Sequence, residues 1–139
     1  MVELIVGVQG TGKTKMLIDL VNNAVETSDG CVVCVEKGEK LRLNISHQAR
    51  LTNTSDYDIK TADSLYGLVC GFYAENYDIT HVFIDSALKI CGKDMESFSG
   101  FVKRIDALSD KNGFKCVMTS SVEKDALAED IKKYVIETE

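Results

Sequence analysis

The order of apolar and polar positions predicts strands that alternate with helices along the chain. An unbroken apolar run such as Val82, Phe83 and Ile84 is typical of a buried strand, whereas apolar residues at helical spacing indicate an amphipathic helix. Such an alternation predicts a three-layer α/β fold, with a mainly parallel five-stranded sheet between helices. The predicted strands cover Val2–Val6, Cys31–Glu36, Ile59–Thr61, His81–Asp85 and Lys115–Thr119, and the predicted helices cover Lys13–Glu26, Ser64–Glu75, Met95–Ser109 and Glu123–Ile136.

The length and composition predict a single domain over residues 1–139. The chain has no proline, and it contains no low-complexity tract or internal repeat that would mark a linker. Its apolar fraction of 45% and charged fraction of 27% are typical of a globular protein. We find neither a signal-peptide pattern nor an apolar run of about 18 residues, so we expect a cytoplasmic protein without a membrane partner.

The net charge and the cysteine positions argue against two kinds of binding site. A net charge of −6 argues against a nucleic-acid partner, because phosphate backbones are bound by clustered lysine and arginine. The most basic stretch, VEKGEKLR, alternates its charges, which is typical of a solvated strand end and turn. Cys31 and Cys34 form a CxxC, but residues three apart in a strand face opposite sides of the sheet, which favours core thiols over metal ligands.

The most informative motif is GVQGTGKT at residues 7–14, which satisfies GxxxxGK[ST] between a predicted strand and a predicted helix. Its glycines permit a tight turn whose N–H groups point inward, and the following helix adds the positive end of its dipole. A polyphosphate is the ligand that suits this loop, known as a P-loop or Walker A motif. The residues predicted to bind it are Gly7, Val8, Gln9, Gly10, Thr11, Gly12, Lys13, Thr14 and Lys15.

Three side chains are predicted to carry the chemistry of this loop. Lys13 should reach the β- and γ-phosphate oxygens as a point charge, and the Thr14 hydroxyl should take one position on Mg²⁺. Asp85 ends the apolar strand HVFID at the carboxyl edge of the predicted sheet, which is the expected Walker B position. We expect Asp85 to hold Mg²⁺ through its water shell, opposite Thr14.

Four further residues bear on hydrolysis. Ser86 follows Asp85 where many hydrolytic P-loop ATPases have a glutamate that activates water, so fast hydrolysis is not expected. Thr119 or Ser120, at the end of the last predicted strand, could face the γ-phosphate or the attacking water. Alternatively, Ser120 and Glu123 form a capping box that opens the last helix. Arg50, in a long irregular stretch, could act on the phosphate of a neighbouring subunit.

The whole chain resembles a known group of proteins. GVQGTGKT, HVFIDS, VVCVEKG, ISHQARL and VMTSSVEKDALAEDIKKY are similar to small, stand-alone, largely uncharacterised bacterial P-loop ATP-binding proteins, sometimes labelled twitching-motility ATPase. The resemblance implies nucleotide binding by residues 7–14 and metal positioning by Asp85. Pilus-retraction motors resemble the chain only at the P-loop, so the resemblance implies no motor function.

Several functions remain open at this stage. ATP is favoured over GTP, because the sequence has no NKxD motif and Asp85 is followed by Ser86, Ala87 and Leu88 where a GTPase should show DxxG. Our main hypothesis is a Mg-ATP-binding switch, or an ATP-binding subunit of a protein partner or of a self-associated complex, with slow or partner-dependent hydrolysis. The alternatives are a small-molecule kinase of the nucleoside or nucleotide type, for which the three scattered arginines would make a poor lid, and an interaction module with a vestigial loop.

Overall fold

The computed structural model describes residues 1–136 of the chain, and in this part the predicted α/β fold is confirmed. Five parallel strands form one sheet, with helices on both of its faces. The strands are β1 (Val2–Gly7), β2 (Cys31–Glu36), β3 (Arg50–Asn53), β4 (Ile79–Ile84) and β5 (Lys115–Ser121), and the helices are α1 (Lys13–Thr27), α2 (Ala62–Glu75), α3 (Ala87–Ile90) and α4 (Met95–Asn112). The order across the sheet is β1-β5-β4-β2-β3.

Two apolar clusters, one on each face of the sheet, hold the layers together. Successive strand side chains point to opposite faces. In β2, Val33 and Val35 therefore join the cluster that contains α2, α3 and α4, while Val32 and Cys34 join the cluster that contains α1. Cys31 packs against the first cluster and Cys34 lies in the second, so the two thiols face opposite sides of the sheet as predicted.

Helix α4 contributes four buried apolar side chains to the first cluster. Phe98, Phe101, Val102 and Ile105 recur at helical spacing, and each is at most 1% exposed. Phe98 and Phe101 belong to the same cluster as side chains of the sheet and of α2.

The sheet brings the predicted site residues to one edge. Because all its strands are parallel, their carboxyl ends meet at the same edge. Strand β5 lies between β1 and β4. The loop after β1 and Asp85 after β4 therefore flank the end of β5.

The predicted strand Ile59–Thr61 is wrong, and the fifth strand is instead β3, paired with β2. Asp58 has a left-handed backbone (φ 58°), and Thr61 is the N-cap of α2, with its hydroxyl accepting a hydrogen bond from Ser64 N–H at 3.1 Å. The helix cap at Thr61 leaves only two residues after the Asp58 turn, and residues 59–61 pair with none of the described strands. Strand β3 was not predicted because it is a four-residue edge strand without a fully buried side chain.

The predicted helix Glu123–Ile136 is also wrong. This segment forms two 3₁₀ turns, Lys124–Ala126 and Glu129–Tyr134, separated by extended backbone at Leu127 and Ala128. The predicted capping box is absent as well, because Ser120 is a buried residue of β5. Helix α3, a single turn after Asp85, is not among the predicted elements.

None of the helices within residues 1–136 combines the length and the apolar character that a membrane crossing requires.

Candidate phosphate-binding site

A cavity of about 630 Å³ opens at the carboxyl edge of the sheet, where β1, β4 and β5 end. In open parallel sheets, ligands bind at this edge. Most of the predicted site residues line this cavity. Its wall comprises Val8, Gln9, Gly10, Gly12, Lys13, Thr14 and Lys15 after β1, Lys40 after β2, Asp85, Ser86, Leu88, Lys89 and Lys93 after β4, and Thr119 and Ser121 of β5.

The loop between β1 and α1 turns through two glycines with left-handed backbone. Gly10 has φ 88° and Gly12 has φ 85°, angles at which a side chain would be strained. Gly12 directly precedes α1, whose first turn has no side-chain cap and no acidic residue among the described residues. The N–H groups at this helix start, which carry the positive end of the dipole, favour a bound anion.

Two side chains donate hydrogen bonds to the same carbonyl group of the loop. The Val8 oxygen accepts hydrogen bonds from Lys13 Nζ and from Thr11 Oγ1, both at 2.8 Å. Burial lowers the pKa of Lys13, and the Asp85 carboxylate partly opposes this shift. Lys13 and Asp85 thus present opposite charges on the wall of the same cavity.

Asp85 is a buried carboxylate held by hydroxyl groups from two directions. Its Oδ1 accepts hydrogen bonds from Thr119 Oγ1 at 2.7 Å and from Thr14 Oγ1 at 3.4 Å. The Thr119 hydroxyl in turn accepts a hydrogen bond from Ser86 N–H at 2.8 Å. Asp85 is only 6% exposed, so these bonds fix the direction in which its other oxygen points.

The Thr14 and Asp85 pair fits a magnesium ion by its chemistry. Both groups present oxygen atoms, which are the ligands that Mg²⁺ takes. A phosphate-bound Mg²⁺ needs only one or two protein ligands, because phosphates and water complete its shell. Within residues 1–136 there is no cluster of three histidine, cysteine, aspartate or glutamate side chains. A metal at this cavity would therefore rely on Thr14, Asp85 and its ligand.

Some predicted site residues do not line the cavity. The Gly7 N–H donates to Val122 O at 2.9 Å, and the Thr11 hydroxyl is turned into the loop. Ser120 was expected near the phosphates, but it does not line the cavity, and its hydroxyl accepts a hydrogen bond from Leu88 N–H at 3.2 Å. Thr119 does line the cavity, but its hydroxyl group donates its hydrogen bond to Asp85. Arg50 begins β3, at the opposite end of the strand from this edge.

The cavity is strongly positive in a protein of net charge −6. Five lysines of the described chain line it, against a single carboxylate, that of Asp85. Three of these lysines are not among the site residues predicted from the sequence: Lys40, Lys89 and Lys93. The spacing of Lys89 and Lys93, four and eight residues after Asp85, was the available signal. Such focused positive charge attracts a polyanion.

Comparison with known proteins does not identify a family or a ligand for this cavity. Neither the models of known protein families nor the curated proteins give a match to this chain. The chemistry of the cavity is therefore inferred from its own side chains.

Glu36 anchors the segment that brings Lys40 to the cavity. Its side chain is 1% exposed and accepts hydrogen bonds from Lys40 N–H at 3.0 Å and from Leu41 N–H at 3.1 Å. The solvated strand end predicted from VEKGEKLR is therefore wrong at Glu36. Burial raises the pKa of this carboxyl group, and the two N–H donors oppose the shift only in part.

The buried Glu36 predicts a pH-dependent difference in stability between the wild type and Glu36→Gln. Because the pKa of Glu36 is raised in the folded state, its contribution to stability is complete below the ordinary value of 4.5 and declines as pH rises through the folded value. The variant lacks this decline. Urea unfolding from pH 4 to pH 8 should therefore show the wild type losing stability relative to the variant as pH rises. A constant difference would contradict this assignment.

Proposed function

We propose that this chain binds Mg-ATP in the cavity, as a member of the P-loop NTPase superfamily. The observation that carries the proposal is that one cavity combines Lys13, the uncapped start of α1, and a Thr14 hydroxyl 3.4 Å from the Asp85 carboxylate. The helix start and Lys13 suit the phosphates, and the paired oxygens suit the metal ion that accompanies them. The resemblance of the sequence to small ATP-binding proteins supports the same ligand.

Each residue would have a distinct role in holding the nucleotide. The N–H groups of the loop and helix start bind phosphate oxygens, and Lys13 exchanges its bond to the Val8 carbonyl for a bond to phosphate. Thr14 and Asp85 would hold Mg²⁺, which supplies neutralising charge at the phosphates. Thr119 is a positioning residue, because its hydroxyl orients Asp85. The absence of an NKxD motif, and of the glycine that would complete DxxG at Asp85, favours ATP over GTP.

Hydrolysis by the chain alone should be slow. Asp85 is the only carboxylate among the described residues of the cavity wall, and hydroxyl groups already engage it. Ser86 provides no carboxylate to activate water. A protein partner that supplies a base or a cation would raise the rate. The chain would then act as a switch or as the ATP-binding subunit of a larger assembly.

Calorimetric titration with ATP, in Mg²⁺ and in EDTA, tests this function. We expect the wild type to bind ATP more tightly with Mg²⁺, and Asp85→Asn to lose most of that difference because the carboxylate that holds the water shell of Mg²⁺ is removed. Asp125→Asn, an exposed aspartate outside the cavity, is the control and should behave as the wild type. Absence of ATP binding by the wild type, or an unchanged Mg²⁺ effect in Asp85→Asn, would contradict the proposal.

A small-molecule kinase is the second candidate, and one observation favours it. A neighbouring cavity of about 440 Å³ shares Lys89 with the first. An acceptor bound there would lie beside the lysines that face the phosphates. A kinase would show ATP turnover only when a metabolite is added, whereas turnover stimulated by a protein would favour the switch.

A further inference from the structure

The second cavity lies along the same edge of the sheet, beyond the carboxyl ends of β2 and β3. The β2 side contributes Lys37, and α3 contributes Lys89 and Ile90. The 3₁₀ turn after β3 contributes Thr54, and Ile59 follows it. The cavity is therefore built from three separate segments, and none of its residues belongs to the GxxxxGK[ST] loop.

Thr54 carries the clearest sign that this cavity takes a ligand. Its side chain is fully buried, and its hydroxyl oxygen has no hydrogen-bond partner within residues 1–136. Its backbone oxygen, in contrast, accepts from the N–H groups of Asp58 and Ile59. Buried hydroxyl groups are nearly always hydrogen-bonded, so an unpaired one on a cavity wall indicates a missing partner.

The charges around Thr54 favour an anion as that partner. Lys60 is paired with Asp58 at 2.8 Å. Lys37 and Lys89 have no ion-pair partner in the described part of the chain. The wall therefore presents two uncompensated positive charges beside the free hydroxyl.

The shape and rigidity of the cavity favour an organic molecule over a bare ion. Asn53 ties two walls together, since its Oδ1 accepts hydrogen bonds from Gly38 N–H at 2.8 Å and Ser55 N–H at 3.0 Å. Ile59 and the buried Ile90 add apolar surface. A volume of about 440 Å³ lies within the range of small-molecule sites.

We propose that this second cavity binds a small organic anion, whose carboxylate or phosphate group accepts a hydrogen bond from Thr54 and pairs with Lys37 and Lys89. Binding of the anion does not depend on the nucleotide. Because Lys89 lines both cavities, the anion would lie next to the proposed ATP site. There it would be placed as an acceptor or as a regulator of that site.

The experiment is a set of NMR titrations without ATP, in which amide shifts of Thr54, Ser55 and Ile59 are followed. The probes are 3-phosphoglycerate for phosphate, succinate for carboxylate, and glycerol as the neutral control. We expect at least one anion, and not glycerol, to shift these amides. Failure of both anions, or shifts confined to residues 8–16, would overturn the proposal. The second result would leave the proposed nucleotide site intact.

Thr54→Val provides an independent arm, because valine keeps the shape of threonine and lacks its hydroxyl. Removing an unpaired buried hydroxyl should leave the melting temperature unchanged or raise it, while anion binding weakens roughly tenfold or more. Thr52→Val, in β3 and outside both cavities, is the matched control for binding.

Lys37→Gln should weaken anion binding similarly, with Lys111→Gln as its control. A lower melting temperature for Thr54→Val, or unchanged binding in either cavity variant, would overturn the proposal.

Discussion

Lys13→Ala is expected to weaken Mg-ATP binding by about 1.5–3 kcal/mol, or roughly 10- to 150-fold in Kd, as is typical when a bond to a charged group is lost. The Lys13 amino group already lies on the cavity wall, 2.8 Å from the Val8 carbonyl that it would leave for phosphate. Its loss also removes a positive charge that interacts with Asp85. Calorimetric titration of ATP with Mg²⁺ measures the effect.

The control for this prediction is Lys111→Ala. Lys111 is an exposed lysine in the last turn of α4 and lines neither cavity. The two variants change the net charge equally, so general electrostatic attraction affects both alike. Equal affinities in the two variants would mean that Lys13 makes no specific contact with the nucleotide.

Phe98→Ala is expected to lower the free energy of unfolding by about 3–5 kcal/mol, the usual cost of removing a buried ring and leaving a cavity. Phe98 is a residue of α4, is fully buried and packs in the larger of the two apolar clusters. Chemical denaturation followed by circular dichroism measures the change.

Tyr57→Ala is the comparison for Phe98→Ala, because Tyr57 is 67% exposed. It should change the free energy of unfolding by no more than about 0.5 kcal/mol, as is usual for surface positions. If both substitutions cost the same, the apolar cluster around α4 would not be the main support of the fold.

The parts of the fold that could be predicted from the sequence are those with a strong local pattern. The start of α1 at Lys13 and the bounds of β2 agree with prediction, because a glycine turn and an apolar run mark them directly. Strand β3 has no such pattern and exists through its pairing with β2. The C-terminal segment likewise depends on a distant partner, since Val135 bridges to Leu4 of β1 and Ile131 is buried.

The residues of the candidate site also differ in how far the sequence predicts them. Lys13, Thr14 and Asp85 could be predicted, because their motifs are local and adjoin predicted elements. Lys40 and Thr54 could not, because they reach the cavities only through the order of the strands, and Lys89 had only its spacing from Asp85 as a signal. Ser120 was misplaced for a related reason: neighbouring residues of a strand face opposite sides, and only Thr119 faces Asp85.

The most direct test of the central claim is an amide NMR titration of the full chain with a nonhydrolysable ATP analogue and Mg²⁺. The largest shifts are expected at Gly10, Gly12, Lys13 and Thr14, whose N–H groups would contact the phosphates, with further shifts at Ser86 through the Asp85 and Thr119 pair. No shifts at saturating analogue, or the largest shifts outside residues 8–16, would contradict the assignment of this loop as the nucleotide site.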